Sequence, residues 1–225
     1  MEILTREEYS SDTVMRMVRS VTFLKNLANQ DKSQFDLLLS VSQFVRHDQG
    51  EILMKKGEAA DCLYFVLKGQ VSVFPSADFQ ASSILNPGEV VGTMSMVTGC
   101  MRSATVIAHS DVILLALKYE HCIDINDYGL FDLPTKLMAY RMVIHHIRWL
   151  IELNKIKQPS HELTSKIFKL PIYSGEKDTK EELLALHEQA RFLAVLLSEW
   201  NESHDQVQTN EDSNLNFIAT SLAAS

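Results

Sequence analysis

The sequence has little cysteine, no excess of basic charge and no long apolar run, and each of these features excludes a class of protein. Its 225 residues include three cysteines with no C-x-x-C spacing, so neither a disulfide scaffold nor a cysteine zinc site is indicated. No apolar run reaches the ~18 residues that a membrane helix needs. The net charge is −8, which argues against a large nucleic-acid interface. The polar, acidic first residues do not predict a secretory leader, so we expect a cytoplasmic protein with reduced thiols.

Catalytic motifs are also missing from the sequence. There is no G-x-S-x-G elbow, no H-E-x-x-H helix and no H-x-H strand pair. His145 and His146 are adjacent, so they project from different sides of a helix and cannot form a metal pair spaced i, i+4. The sequence therefore predicts neither an enzyme nor a metal or cofactor site.

Glycine is scarce but clustered, with six of the eight glycines between positions 50 and 99. They separate short apolar segments of strand length, as turns between strands do. The predicted strands are Ser42–Arg46, Glu51–Met54, Cys62–Leu67, Gln70–Phe74, Ser82–Leu85, Ala104–Ala108 and Val112–Leu117. Short strands with almost no helix between them predict an antiparallel sandwich or barrel.

Helical patterns flank this region on both sides. Residues 12–28 and 31–39 have apolar residues at helical spacing, and from Pro134 about 22 residues follow without a breaker. The long segment carries a heptad-like seam that packs on the barrel or pairs with a partner helix, at Leu137, Tyr140, Ile144, Ile147, Ile151 and Asn154. Thr179 and Glu182 form a capping box that opens a last helix to about Glu202. That helix has a second apolar seam, which we predict to bind a partner, at Leu183, Leu186, Leu193, Leu197 and Trp200.

These patterns divide the chain into four parts. Residues 1–133 form an α+β unit, an antiparallel roll with N-terminal helices, and 134–156 form a long hinge or dimer helix. Residues 157–202 form a helical extension, and the polar segment 203–225 is predicted to be disordered.

The segment LNPGEVVGTMSMVTGCMRSATV (85–106) carries the clearest binding signal. Glycine allows close approach of the backbone, the start of a short helix offers N–H groups, and Arg102 offers a bidentate guanidinium. Together these groups suit a phosphate.

With the strands, this segment resembles the cyclic-nucleotide-binding domain family, which includes catabolite activator proteins and kinase regulatory subunits. The resemblance covers about residues 14–155. In GEILMKKGEAADCLYFVLKGQVSVF (50–74), Gly57, Asp61 and Gly69 occupy the family's turns. Segment 85–106 resembles the phosphate-binding cassette, with Gly92 at its opening glycine and Arg102 at the arginine that binds the cyclic phosphate. The fold implied is an antiparallel β-roll or jelly roll.

The resemblance implies a ligand site and also shows where this chain departs from the family. The site residues are Gly92, Thr93, Met94, Ser95, Arg102 and Ser103, and the long helix caps the base with Trp149, Leu150 or Leu153. Thr93 stands where the family normally has a glutamate that accepts a hydrogen bond from the ribose. Losing a charged acceptor would weaken a ribose ligand about ten- to a hundredfold.

Two functions follow from this pattern. In the first, the protein binds a cyclic nucleotide, cAMP before cGMP, and signals through its C-terminal helices to a partner protein. In the second, the pocket is degenerate and the protein is a ligand-independent adaptor. A transcription regulator is disfavoured, because residues 157–225 contain six Lys or Arg against eleven Asp or Glu. We also expect a homodimer through helix 134–155 and no contact with DNA or membrane.

Overall fold

The computed structural model describes residues 2–3, 12–75, 83–122, 124–170 and 172–223, with side chains as far as Glu202 except at 168 and 169. Its helices are α1 (Asp12–Ser20), α2 (Thr22–Gln30), α3 (Lys32–Val41), α4 (Thr93–Thr98), α5 (Leu133–Lys157) and α6 (Lys180–Ala223). Its strands are β1 (Glu2–Ile3), β2 (Ser42–His47), β3 (Ile52–Met54), β4 (Cys62–Lys68), β5 (Val71–Phe74), β6 (Ser83–Leu85), β7 (Val90–Val91), β8 (Thr105–Ala108) and β9 (Val112–Lys118). Short 3₁₀ segments cover Tyr119–His121 and Glu162–Lys169.

The strands form two antiparallel sheets. One sheet has the order β1-β2-β9-β4-β7 and the other has the order β3-β8-β5-β6. In the first sheet β9 lies between β2 and β4, pairing Leu115 with Phe44 on one side and with Phe65 on the other. The predicted antiparallel roll, with helices before and after it, is confirmed.

The strands β4 and β9 are apolar almost throughout because both of their faces are buried. In β4, Leu63, Phe65 and Leu67 point to the helices, whereas Val66 points to the interior of the roll. Side chains alternate across a strand, so a strand covered on both faces reads as a continuous apolar run. The chain therefore has two cores, one between the sheets and one between the larger sheet and the helices.

Local capping explains where the helices begin. The Asp132 carboxylate accepts a hydrogen bond from the Thr135 amide at 2.9 Å, and Pro134 lies in the first turn of α5. Ahead of α6, the Thr179 hydroxyl accepts from the Glu182 amide at 3.2 Å. The Glu182 side chain accepts from the Asp178 amide, one residue before the position of an ideal capping box.

Two predicted helices differ from the structure, and two short strands lie outside the predicted set. The helix predicted over 12–28 is broken at Val21, which is extended and precedes α2. The two-residue strands β1 and β7 are the ones that the sequence does not predict. The last helix continues to Ala223 instead of ending near Glu202, so the predicted disordered tail is helical over 203–223; no glycine or proline interrupts the sequence there. Residues 224 and 225 lie outside the described residues.

Both apolar seams of the C-terminal half are buried inside the chain. On α5 the buried residues are Leu137, Tyr140, Val143, Ile144, Ile147 and Ile151. On α6, Leu183, Leu193, Leu197 and Trp200 belong to the same core, and Leu186 packs against its edge. Helix α6 lies against α5 and against α4. None of the helices within the described ranges is long and apolar enough to cross a membrane.

Candidate functional site

A small pocket lies at the mouth of the roll, where α4, α5 and α6 meet. The strands supply its apolar floor, including Met54, Leu85 and Val106. One side is formed by the predicted site residues Gly92, Thr93, Met94, Ser95, Arg102 and Ser103. The helices supply the other side, with Leu150, Leu153, Asn154 and Lys157 from α5 and Leu197 and Asn201 from α6. The cavity volume is about 100 Å³.

Gly92 is the backbone position on which this site depends. It precedes α4 with φ of 95°, a conformation that favours glycine. A Cβ there would lie 2.6 Å from Arg102 Nη1 and 2.8 Å from the Tyr119 hydroxyl. Glycine is therefore required twice, for its conformation and for the space that Arg102 and Tyr119 occupy.

Arg102 is 4% exposed and is held by groups of the chain itself. Its Nη1 donates to the Tyr119 hydroxyl at 2.8 Å and its Nη2 donates to the Cys62 carbonyl at 2.9 Å. The carboxylate of Asp61 lies 3.6 Å from Nη2, but Asp61 is largely exposed. The guanidinium also lies 5.6 Å from the centre of the Tyr119 ring and 5.8 Å from that of Tyr64. These contacts orient Arg102 without supplying a close, buried counter-ion.

Tyr119 links Arg102 to the glycine that opens α4. Its hydroxyl donates to the Gly92 carbonyl at 2.6 Å while it accepts from Arg102. Burial raises the pKa of Tyr119 well above its usual value, although Arg102 opposes that shift. The phenol therefore stays neutral, and its hydroxyl can donate one hydrogen bond while it accepts another. Burial likewise raises the pKa of Tyr64 to about 12. The two described hydrogen bonds use two of the five N–H donors of a guanidinium.

Thr93 is 2% exposed, and the structure gives it a partner on α5. Its Oγ1 lies 3.0 Å from Nδ1 of His146, within hydrogen-bond distance. Burial, reinforced by the neighbouring His145, lowers the pKa of His146 to about 4, so the imidazole is neutral at pH 7. Its Nε2 is buried, and the described residues offer it no hydrogen-bond partner. The position that would contact a ribose thus fixes α5 against α4.

The other residues of the predicted phosphate side have more modest roles. The Ser95 hydroxyl donates to the Met101 carbonyl at 3.2 Å, closing the turn after α4. The Ser103 hydroxyl lies 3.7 Å from the sulfur of Met94, which fills part of the pocket. Met101 is 65% exposed and lies outside the lining.

The three residues predicted to cap a base lie on different sides of α5. Leu150 and Leu153 line the pocket, whereas Trp149 does not. Trp149 is 49% exposed and faces a separate groove of about 1030 Å³ between α2 and α5. The 100° step per residue explains the difference, because Trp149 lies a full step away from Leu150 around the helix.

The seam on α6 was predicted as a surface for a partner, and the structure corrects this. Leu193, Leu197 and Trp200 are buried against the chain's own α4 and α5, because these helices present the complementary apolar surface. Leu183 is equally buried, and Leu186 is half-buried. No free apolar face remains along this seam among the described side chains.

Several groups of the site are not among the site residues predicted from the sequence. Tyr119 and the Cys62 carbonyl contact Arg102 only through the folding of distant strands, and no local pattern announces them. His146 had a signal, since 146, 150 and 153 follow the i, i+4, i+7 spacing of one helix face. Asn154 and Lys157 continue the same face. Asn201 reaches the pocket because α6 packs over it, and no local sequence pattern predicts this packing.

Comparisons with known proteins match a family model to the central part of the chain. Residues 44–125 match the model of the cyclic nucleotide-binding domain. Over 133 residues, 54% of this chain and 34% of the relative, the sequence is 33% identical to a cAMP-dependent protein kinase type II regulatory subunit of Drosophila melanogaster. Over 90 residues, 39% of this chain and 42% of the relative, it is 34% identical to a cyclic AMP receptor protein of Thermus thermophilus.

The chain thus spans less than half the length of either relative. A solved structure of cyclic nucleotide-binding type from Geobacter metallireducens superposes with a TM-score of 0.50 at 16% identity. That superposition covers 59% of this chain and 93% of the other, and at such identity it supports the fold alone. Among the residues that the structure describes, no cluster of three or more His, Cys, Asp or Glu is arranged to hold a metal ion.

Proposed function

Residues 44–125 form a domain of the cyclic nucleotide-binding family, and from this we propose that the chain is a signalling protein that binds a cyclic nucleotide at Arg102. The site residues are those of the pocket wall, Gly92 to Ser95 with Arg102 and Ser103. We expect cAMP to be preferred over cGMP. The relay to a partner protein runs through α5, whose Leu150 and Leu153 line the pocket.

The observation that carries this proposal is the environment of Arg102. A buried guanidinium is costly unless a charge compensates it. Its hydrogen-bonded partners here are a neutral phenol and a carbonyl, and its nearest carboxylate is exposed and 3.6 Å away. A cyclic phosphate would supply the missing anion through a bidentate pair. Lys157 on the opposite side of the pocket adds a second positive charge.

Calorimetry with cAMP and cGMP tests the proposal directly. Arg102→Ala should weaken binding by at least about tenfold, because the charge-assisted bonds to phosphate are lost. Arg102→Lys keeps the positive charge but cannot form the bidentate hydrogen bonds of a guanidinium. Its affinity for the nucleotide should therefore lie between that of the wild type and that of Arg102→Ala. Arg46→Ala, a half-exposed arginine on β2, is the control and should bind as the wild type does. Unchanged affinity in a folded Arg102→Ala protein would place the ligand elsewhere.

The adaptor function remains the second candidate, and a specific observation favours it. Thr93 and Arg102 both already have partners within the chain, and the cavity is smaller than the ~300 Å³ at which ligand pockets begin. Absence of heat and of thermal stabilisation at millimolar cAMP and cGMP would favour this function over the first.

A homodimer in the cytoplasm remains part of the proposal, but its interface has to change. The α5 seam predicted for dimerisation is buried inside the chain. The outer side of α5 carries a second row, formed by Met138, Met142, His145 and Trp149 at spacings of four, three and four, with Ile156 seven residues further on. Trp149 and Ile156 are exposed there. We expect a dimer to use this row.

A further inference from the structure

We propose that the middle segment of α6, residues 193–202, is an intrachain cover of the pocket and must move away before a nucleotide enters. The inference rests on the proposed function, since it concerns the regulation of the same site. Its starting point is that Leu197 and Asn201 of α6 form part of the pocket lining, beside Leu150 and Asn154 of α5.

With α6 in place the pocket is too small for the ligand. Its volume is about 100 Å³, whereas ligand pockets usually measure about 300–1,000 Å³. The strands of the floor are fixed by sheet hydrogen bonds, and α5 is joined to α4 by the contact between Thr93 and His146. Residues 193–202 belong to no sheet and close the remaining side. Ligand and cover therefore compete for one space.

The contacts along α6 differ between its start and the segment 193–202. Near its start, Arg141 of α5 pairs with the buried Glu182 at 2.8 Å, and His187 contacts the Tyr140 hydroxyl at 3.0 Å.

The segment 193–202 is held more weakly by its polar contacts. Asn154 donates to Asn201 at 3.3 Å, and Trp200 Nε1 donates to Gln158 at 3.2 Å. Glu199 pairs with Lys166 at 3.0 Å, but both side chains are about half exposed, so this pair contributes little. We therefore expect the buried pair at Glu182 to keep the start of α6 docked while residues 193–202 separate.

Apolar packing keeps the cover closed in the absence of ligand. Trp200 is fully buried and stacks on His161 with ring centres 4.5 Å apart. Leu193 and Leu197 are buried on the same side. Only the open molecules can bind the ligand. The apparent dissociation constant is therefore the intrinsic constant divided by the fraction of open molecules, and it rises as that fraction falls. Displacement of residues 193–202 would expose these apolar side chains. Nucleotide binding would thereby change the surface that the protein presents.

Calorimetry with cAMP and cGMP on the full chain tests the cover. Trp200→Ala removes the largest contact of residues 193–202 and should bind at least about tenfold more tightly than wild type. Asn201→Ala is a milder variant, for use if Trp200→Ala does not fold, and should improve binding about two- to fivefold. Val195→Ala is the matched control, because Val195 lies in the same segment of α6 but is 48% exposed. It should leave the affinity unchanged.

Hydrogen exchange with saturating cAMP gives the second measurement. Amides of 193–202 should exchange faster when the nucleotide is bound, whereas those near Glu182 should not change. Equal affinity in wild type and Trp200→Ala, with unchanged exchange in α6, would overturn the cover and leave nucleotide binding established. If neither wild type nor a folded cover variant binds either nucleotide, the proposed function itself fails, and the cover fails with it.

Discussion

At the scale of single residues, the site depends on how Gly92, Tyr119 and Arg102 share one small space. Tyr119 accepts from Arg102 and donates to the Gly92 carbonyl, so its one hydroxyl fixes both the cation and the start of α4. The sequence identified the glycine and the arginine because both lie in one motif. It could not identify the tyrosine, which lies in the 3₁₀ segment directly after β9.

Comparing Gly92→Ala with Gly88→Ala separates the cost of backbone strain from the cost of a steric clash with Arg102. Gly88 also has a positive φ, of 98°, but a Cβ there meets nothing within 4 Å. Gly88→Ala should therefore cost about 1–2 kcal/mol, the conformational term alone. Gly92→Ala should cost roughly 3–4 kcal/mol, because Arg102 must also give up a hydrogen bond. Urea denaturation of both variants measures the difference, and equal losses would show that the close approach to Arg102 is unimportant.

The buried imidazole of His146 makes stability depend on pH. Its pKa in the folded chain is about 4, below the usual 6.5, so the unfolded chain binds more protons between those values. The contribution of neutral His146 is complete above pH 6.5 and is lost as the pH falls toward 4, by roughly 3 kcal/mol. His146→Gln should flatten the unfolding free energy across this window. His121→Gln is the control, and an equally flat curve for it would contradict the assignment.

At the scale of elements, the strands could be predicted closely and the helix contacts could not. Positive-φ glycines at 50, 57 and 69 mark turns between strands, so most predicted strand ends lie within a residue of those observed. The periodicity of α6 showed that one side is buried, but not that α4 and α5 cover it. The bond between Thr93 and His146 joins residues 53 positions apart, and no local pattern encodes such a pair.

The start of α6 is an element-scale anchor that can be tested. The buried Glu182 carboxylate accepts from Arg141 and from the Asp178 amide. Burial alone would raise the pKa of Glu182, but these two bonds outweigh it and the pKa is lowered. Glu182→Ala should cost roughly 2 kcal/mol at neutral pH, because Arg141 loses its buried partner.

The exposed neighbour Glu181 supplies the matched control for this anchor. Glu181→Ala should change the free energy of unfolding by less than about 0.5 kcal/mol. Since the Glu182 pKa is lowered, the contribution of its charged form is present at neutral pH and disappears as the pH falls through the folded value. The gap between wild type and Glu182→Ala should therefore narrow in acid. A constant gap would mean that packing alone accounts for the loss.

At the scale of the whole molecule, one continuous core joins the N-terminal helices, the outer side of the larger sheet, α5 and α6. The division of the chain into four parts stays a prediction, and the first three of these parts contribute residues to this one core. The α5 seam that was predicted to form a dimer belongs to this core and packs against other parts of the same chain. A dimer would therefore have to use the outer row of α5, which contains Trp149.

Trp149→Glu tests this outer row. Placing a charge at the centre of an apolar interface should convert a wild-type dimer into a monomer in light scattering at micromolar concentration. Arg148→Glu also adds a negative charge to an exposed position of α5, outside that row, and should leave the dimer intact. A monomeric wild type would remove the dimer from the proposal.

The position of β9 also sets the order in which the molecule can be made. It is the last strand to leave the ribosome, yet it lies between β2 and β4 and pairs with both. Until residue 118 has emerged, a nascent chain holds two strongly apolar strands whose common partner does not yet exist. Synthesis that stalls shortly before this point leaves those strand edges open to other chains. The larger sheet can therefore be completed only after β9 has emerged from the ribosome.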